Sequence, residues 1–388
     1  MEISTCVKYV GVNDHQVDLF EGQYKVPNGM SYNSYVILDE KIAVMDTVDG
    51  FFTEEWLNNV EQVLSGKTPD YLVIQHMEPD HSASIPAFLK KYPKVTVVST
   101  AKGFQFMEQF FPEFFAGQGL PAEQRIVAAN DGVLELGQHS LHFVYAPMVH
   151  WPEVMMTYEA TEKILFAADG FGKFGALDVE EEWANEARRY YIGIVGKYGP
   201  QVQAVLKKAA GLDIQTICSL HGPVLKENLG FYLEKYDKWS SYQPEESGVV
   251  IAYASVYGNT RNAAEYLADV LQEKGQKTVL YDLARCDKAK AVADAFRYDR
   301  LVLAGITYNG DLFPCMRSFI EGLTERNYQN RKVAIIENGT WAPMAGKLIL
   351  GMFEKSKNLT FTETKVSIKS AMNAQNKEEI GKLAEELS

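Results

Sequence analysis

Residues 76 to 81 read His76-Met77-Glu78-Pro79-Asp80-His81, four side chains able to bind a metal in a chain that holds seven histidines in all. Three more candidates, His150, Asp169 and His221, come shortly after apolar runs that read as strands (141–146, 163–167 and 215–219). The cluster itself follows another such run, 71–75. Strand ends along one edge of a sheet converge, so residues distant in sequence can build one site there. Four histidines and three carboxylates exceed what one tetrahedral metal takes, and two metals sharing a carboxylate fit the set better. Carboxylates and imidazoles without a thiolate suit iron or manganese at least as well as zinc. A single strand-end histidine is more often a hydrogen-bonding structural residue; it is the clustering that reverses the argument here. His15, His139 and His142 stand alone in the sequence and read as structural.

A second set of residues suits phosphate. Ser255-Val256-Tyr257-Gly258-Asn259-Thr260 lies between an apolar run at 249–253 and an amphipathic stretch at 261–274. The start of a helix offers free N–H groups and the positive end of its dipole, and Ser255 and Thr260 add hydroxyls. No GxxxxGK[ST] sequence is present, so a terminal monophosphate fits better than a triphosphate. Two further loops leave the same expected edge. Thr307-Tyr308-Asn309-Gly310 and Asn338-Gly339-Thr340-Trp341 each couple glycine turns and amides with an aromatic ring, the provision a planar heterocycle needs. Together the three loops point to FMN at the switch point of a parallel sheet.

The elements that must position these residues fall into two halves. With 388 residues the chain has room for two or three domains. A polar, turn-rich seam at 240–248 separates them, and the expected domains are 1–246 and 247–388. Before the seam, short strands (35–38, 42–45, 71–75, 95–99, 141–146, 155–158, 163–167, 215–219) alternate with helical stretches such as Thr53–Leu64 and 179–197, which predicts an α/β sandwich. After it, strands at 249–253, Thr278–Asp282, 301–305, 332–336 and 360–366 alternate with helices at 261–274, 287–296, 315–324, 345–355 and 377–386. That is the pattern of a small, parallel five-stranded sheet.

Composition narrows the function classes. Lys plus Arg number 38 and Asp plus Glu 51, for a net charge of −13 and no concentrated basic run, which argues against nucleic-acid binding. No apolar run nears the roughly 18 residues of a membrane helix, and MEISTCVKYV lacks the pattern of a secretory signal. Cys6, Cys218, Cys286 and Cys315 are widely spaced and include no CxxC pair, against a disulfide framework or zinc ribbon. A cytoplasmic protein is expected.

The H-x-E-x-D-H spacing, with a later His, Asp and His and a flavodoxin-type phosphate loop, resembles the flavodiiron (A-type flavoprotein) branch of the metallo-β-lactamase superfamily. Hydrolytic members carry a second His where Glu78 stands. The resemblance runs end to end and implies an α/β chain: an N-terminal metallo-β-lactamase-like αββα sandwich and a C-terminal flavodoxin-like, doubly wound parallel sheet. It implies that His76, Glu78 and His150 bind one iron, that Asp80, His81 and His221 bind the other, and that Asp169 bridges. Members differ at the position of His81. It implies FMN, bound by residues 255–260 and the two later loops, and reduction of O2 to water or of NO to N2O, with O2 ranked first. A head-to-tail homodimer or a dimer of dimers would bring each flavin to a partner's irons. Without the two CxxC-like pairs of a rubredoxin domain, the electron donor would be a separate rubredoxin-like protein or reduced coenzyme F420. Two rival readings are a dizinc hydrolase with an accessory flavodoxin-like module, and an electron-transfer partner whose first half only docks. Trp151, next to His150, reads as pocket wall.

Overall fold

Short runs of fully buried residues become the strands of two sheets in the first part of the chain. The computed structural model describes residues 3–117 and 119–388, so residues 1, 2 and 118 of the expected N-terminal domain lie outside the described residues. It divides into one unit of Met1–Tyr191 with Pro200–Tyr236 and another of Ile192–Gly199 with Asp237–Ser388.

In the first unit, a six-stranded sheet runs in the order Val7–Tyr9, Tyr35–Ile37, Ala43–Met45, Tyr71–Val73, Thr96–Ser99, Arg125–Val127. A five-stranded sheet runs Val133–Glu135, Ser140–Tyr145, Met155–Glu159, Ile164–Phe166, Thr216–Cys218. Val7, Ile37, Met45 and Val73 of the first sheet share one core with Leu141, Phe143, Met155 and Phe166 of the second. Tyr35–Ile37, Ala43–Met45 and Tyr71–Val73 are buried at every position, as strands covered on both faces must be. Helix Thr53–Leu64 buries Trp56, Val60 and Leu64, spaced one helical turn apart.

Strand direction is what gathers the site. Ala43–Met45, Tyr71–Val73 and Thr96–Ser99 run parallel, so their C-terminal ends share one edge. Ile164–Phe166 and Thr216–Cys218 are also parallel, and two antiparallel steps give Ser140–Tyr145 the same direction. The segments carrying His150, Asp169 and His221 therefore leave the second sheet at one end.

In the second unit, the parallel order is Thr278–Asp282, Glu246–Tyr253, Tyr298–Tyr308, Arg331–Asn338, Leu359–Phe361. Helix Asn259–Glu273 lays Ala263, Ala264, Leu267 and Leu271 on the sheet, and helix Ala374–Glu386 adds Ile380 and Leu383 to the same core. The order reverses beside Glu246–Tyr253, the place where such sheets open a crevice for a ligand.

Three expectations need correction. The helix expected at 179–197 begins at Trp183, and at Tyr191 it gives way to a π turn and then a 3-10 turn. Glu181, just before it, is held in the loop by Lys173 Nζ at 2.6 Å and Asn28 Nδ2 at 3.0 Å. The last strand, expected at 360–366, is broken into Leu359–Phe361 and Val366–Ile368. Between them the amides of Glu363 and Thr364 donate to Glu386 at 2.7 and 2.9 Å instead of to a neighbouring strand. Ahead of residue 35, where no element was expected, lie Val7–Tyr9 and the pairs Val12–Asp14 with Met30–Tyr32 and Leu19–Phe20 with Tyr24–Lys25. Strands of two or three residues are too short to carry a period. Among the described residues, no helix is long and apolar enough to cross a membrane.

Candidate functional site

All seven expected ligands meet at the strand ends of the first unit. His76 follows Tyr71–Val73; Glu78 caps a short helix, Pro79–Ser82, whose first turn carries Asp80 and His81. His150 Nε2 lies 3.0 Å from Glu78 Oε2, 3.4 Å from His76 Nε2 and 3.1 Å from Asp169 Oδ2. A second cluster joins His81 Nε2 to His221 Nε2 at 3.1 Å, with Asp80 Oδ2 at 3.3 Å from the first and 3.2 Å from the second. Asp169 belongs to both: Oδ2 faces His76 and His150, and Oδ1 lies 3.2 Å from His81 Nε2 and 3.8 Å from His221 Nε2.

This arrangement fits metal ions better than hydrogen bonds. Imidazole nitrogens face one another in pairs, and one proton cannot serve two nitrogens and two carboxylates at once. Both oxygens of Asp80 and Asp169 Oδ1 are buried without a hydrogen-bond partner. Separations of 3.0–3.4 Å are close to the edges of a coordination shell with bonds of about 2.0–2.2 Å. Burial works against ionising Glu78 and Asp169, yet the surrounding histidines hold both carboxyls below their usual range. Burial likewise opposes charge on His150, while the bonds to Asp169 and Glu78 push its pKa up to about 9. Opposite charges are thus interleaved in a buried space, and two dications would take the place of the imidazolium protons among the carboxylates.

The supporting residues were not visible in the sequence. Glu153 Oε1 accepts from His76 Nδ1 at 2.7 Å and from the Met77 amide at 2.9 Å, which leaves His76 Nε2 for the metal. The Ser31 carbonyl does the same for His221 Nδ1 at 2.7 Å. Asp46 accepts from the Gln75 amide at 2.8 Å and from Gln75 Nε2 at 2.9 Å; burial pushes its carboxyl up to about 6 against the pull of those bonds. The His150-x-x-Glu153 spacing was the one available signal for Glu153, and only the fold tells it from an ordinary surface pair. Glu153→Gln keeps the volume but cannot take the Nδ1 proton as strongly, so iron affinity should fall roughly ten- to a hundredfold. A chelator competition assay against the parent reads this.

Aromatic rings wall the centre. Trp151 meets His76 edge-on at 5.3 Å and is stacked by Phe110 at 6.3 Å, which places it as pocket wall. Phe20 and Tyr190 each approach His221 at 5.5 Å, and Tyr32 at 6.0 Å. Glu21, an exposed residue in the turn after Phe20, senses the same field: partial desolvation and the negative charge on Glu78 push its carboxyl up to about 7.

The lone histidines have partners of their own. His15 Nε2 pairs with Asp178 at 3.0 Å, and His142 Nε2 bonds Ser140 Oγ at 3.1 Å. His139 Nδ1 meets Asp39 at 2.8 Å.

In the second unit, a cavity of about 420 Å³ opens at the switch point. It is lined by Ser255, Val256, Tyr257, Asn259, Thr260, Thr307, Tyr308, Asn309, Gly310, Asn338, Gly339, Thr340 and Trp341, together with Ile306, Ala342, Met344 and Ser370. Gly258 does not line it. At φ +89°, Gly258 caps helix Asn259–Glu273, and its amide donates to Ser255 Oγ at 3.1 Å. That left-handed turn aims the first amides of the helix at the cavity. Thr307 Oγ1 accepts from the Met344 amide at 2.8 Å, and Asn338 binds Ser370 through both amide atoms, which fixes the other two loops. Trp341 and Tyr257 are 90% and 93% exposed on the rim, so neither ring is engaged by the core. The volume, the anion-binding turn and the free rings suit a flavin mononucleotide.

Comparison with known proteins followed the same division. A family model described as ODP family beta lactamase matches residues 30–222, and one described as Flavodoxin domain matches residues 250–363. The anaerobic nitric oxide reductase flavorubredoxin of Vibrio vulnificus is 27% identical over 355 residues, covering 88% of this chain and 70% of the relative. Diflavin flavoprotein A 1 of Synechocystis is 32% identical over 282 residues, covering 71% of this chain and 48% of the relative. The crystal structure of the flavodiiron protein from Giardia intestinalis superposes with a TM-score of 0.92 at 26% identity, covering 100% of this chain and 95% of that one.

Proposed function

The chain belongs to the flavodiiron family, and from that membership we propose that it reduces O2 to water, or NO to N2O, where Asp169 joins the two clusters of ligands. It is an oxidoreductase fed by an external electron donor, and its cofactors are FMN and a diiron site. When bound, these cofactors supply the stored electrons and an open coordination position for a diatomic substrate. The observation that carries the reading is the Asp169 carboxylate, with one oxygen turned to each cluster.

The chain's own residues do the rest. His76, Glu78 and His150 would hold one iron, and Asp80, His81 and His221 the other. Glu153 and the Ser31 carbonyl keep the protons of His76 and His221 on Nδ1. Phe20, Tyr32 and Tyr190 pack against His221 and Trp151 packs against His76, and these rings would keep bulk water from the centre. The residues of the 255–260 turn would hold the flavin phosphate, and Tyr308 and Trp341, which line the same cavity, would flank the ring. A dizinc hydrolase is not favoured, since the named relatives include nitric oxide reductases and flavoproteins.

Exposed apolar side chains support a head-to-tail homodimer, itself able to pair into a dimer of dimers. Phe110, 42% exposed, stacks on Trp151 at the wall of the metal centre, and Tyr257 and Trp341 rim the flavin cavity. Two different apolar patches on one chain are complementary in a dimer that sets each against the other. A rubredoxin-like protein is the donor to assay first and reduced coenzyme F420 the second. The two-domain division at 246/247 and a cytoplasmic setting complete the reading, the latter supported by four unpaired cysteines.

The test is anaerobic stopped flow: protein with reduced flavin is mixed with O2 or with NO. Flavin oxidation far faster than that of free FMN, with water and no peroxide from O2, or N2O from NO, is the expected result. Oxidation at the rate of free flavin with both substrates would overturn the proposal.

A further inference from the structure

Three groups of metal-binding side chains form among the described residues, and only two belong to the centre above. The third is Cys6, His139 and Glu162, whose Sγ, imidazole nitrogen and carboxylate oxygen all lie within 4.8 Å of one another. We propose that these three residues form a mononuclear site for zinc, separate from the iron centre and independent of the reductase reading.

Pairing of the sheets builds the cluster. Val7 lies opposite Ile37 in antiparallel register, which sets Cys6 beside Leu38 (Leu38 N donates to Cys6 O at 2.9 Å) and next to Asp39. His139 comes from the turn between Val133–Glu135 and Ser140–Tyr145, and Glu162 from the turn between Met155–Glu159 and Ile164–Phe166. One residue thus precedes the edge strand of the first sheet and two sit in turns of the second.

His139 is oriented as a metal-bound histidine is. Its residue is 4% exposed, and its Nδ1 pairs with Asp39 Oδ2 at 2.8 Å. The same oxygen accepts the His139 amide at 2.7 Å, so the carboxylate is fixed from two directions. A carboxylate on one imidazole nitrogen sets the tautomer and presents the other nitrogen to a metal. His139 Nε2 lies 3.6 Å from Glu162 Oε1, long for a hydrogen bond and near the roughly 3.4 Å edge of a tetrahedron with bonds of about 2.0–2.2 Å. A His–carboxylate pair accounts for Asp39 and Glu162; the Cys6 thiol, also 3.9 Å from Thr5 Oγ1, adds a third donor within reach of the same point.

One thiolate, one imidazole and one carboxylate leave a fourth position for water, a set that favours zinc over magnesium or calcium. Binding releases the Cys6 proton and ties the N-terminal edge strand to two turns of the opposite sheet.

Cobalt(II) is the probe, because a thiolate on cobalt gives a charge-transfer band that the sulfur-free iron centre cannot produce. Iron-loaded full-length protein titrated with cobalt chloride should develop that band with an end point of one equivalent, and excess zinc should bleach it. Cys6→Ser should abolish the band with its iron content unchanged, whereas Cys286→Ser and Cys315→Ser should keep it. Glu162→Gln should weaken cobalt binding roughly tenfold or more. No band at saturating cobalt, or a band that survives Cys6→Ser, would overturn the proposal.

Discussion

Asp169→Ala should yield protein that keeps its flavin and loses both irons, with O2 and NO reduction down roughly a thousandfold or more, about 4 kcal/mol of barrier. The size of the effect follows from geometry. Glu78 serves one cluster and Asp80 the other, whereas Asp169 lies 3.1 Å from His150 Nε2 through one oxygen and 3.2 Å from His81 Nε2 through the other. On the proposed assignment, removing it deletes a ligand from each metal at once. It also deletes the charge that lets two dications sit side by side in a buried space. Elemental analysis with flavin absorbance checks the outcome. Retention of two irons at parental rates would mean that the carboxylate does not bridge.

Ser255→Asp should have the opposite signature: iron kept, FMN lost. Ser255 Oγ accepts the Gly258 amide at 3.1 Å, and an aspartate can accept the same bond, so the turn itself should survive. What changes is charge. A carboxylate beside the phosphate position costs about 4 kcal/mol for unit charges roughly 4 Å apart in a partly solvated site, which is near a thousandfold in affinity. Equilibrium dialysis of FMN against the parent protein reads it directly. The two variants together then test the dimer. In a head-to-tail pair, the flavin of an Asp169→Ala chain faces the irons of a Ser255→Asp chain, so mixing two inactive proteins and allowing exchange should restore activity. No restoration after demonstrated exchange would place electron transfer within one chain.

How much could be read from the sequence varied with the kind of signal. His76, Glu78, Asp80 and His81 are packed into one turn, and His150, Asp169 and His221 each follow a strand; strand ends are where parallel neighbours bring side chains together. The flavin loops were readable for the same reason, since strand, glycine turn and helix come in strict order there. Gly258 was the partial exception, a residue that shapes the turn and does not line the cavity. Glu153, Ser31 and Asp46 were out of reach because orientation of a ligand is a matter of distances, and a backbone carbonyl such as that of Ser31 leaves no mark on composition. The cluster of Cys6, His139 and Glu162 was hidden more deeply. Its members join only when the register of Val7 on Ile37 and the packing of the two sheets are known. In sequence, His139 reads as an isolated structural residue. The broken last strand failed for a local reason: Glu386, more than twenty residues on, takes the amides of Glu363 and Thr364.

The most direct test of the account is the metal content of protein produced with iron and zinc both supplied. Two irons per chain, with zinc at no more than one and that one absent from Cys6→Ser, is the predicted result. Two zincs that persist in Cys6→Ser, with iron at background, would contradict the diiron reading and restore the hydrolase.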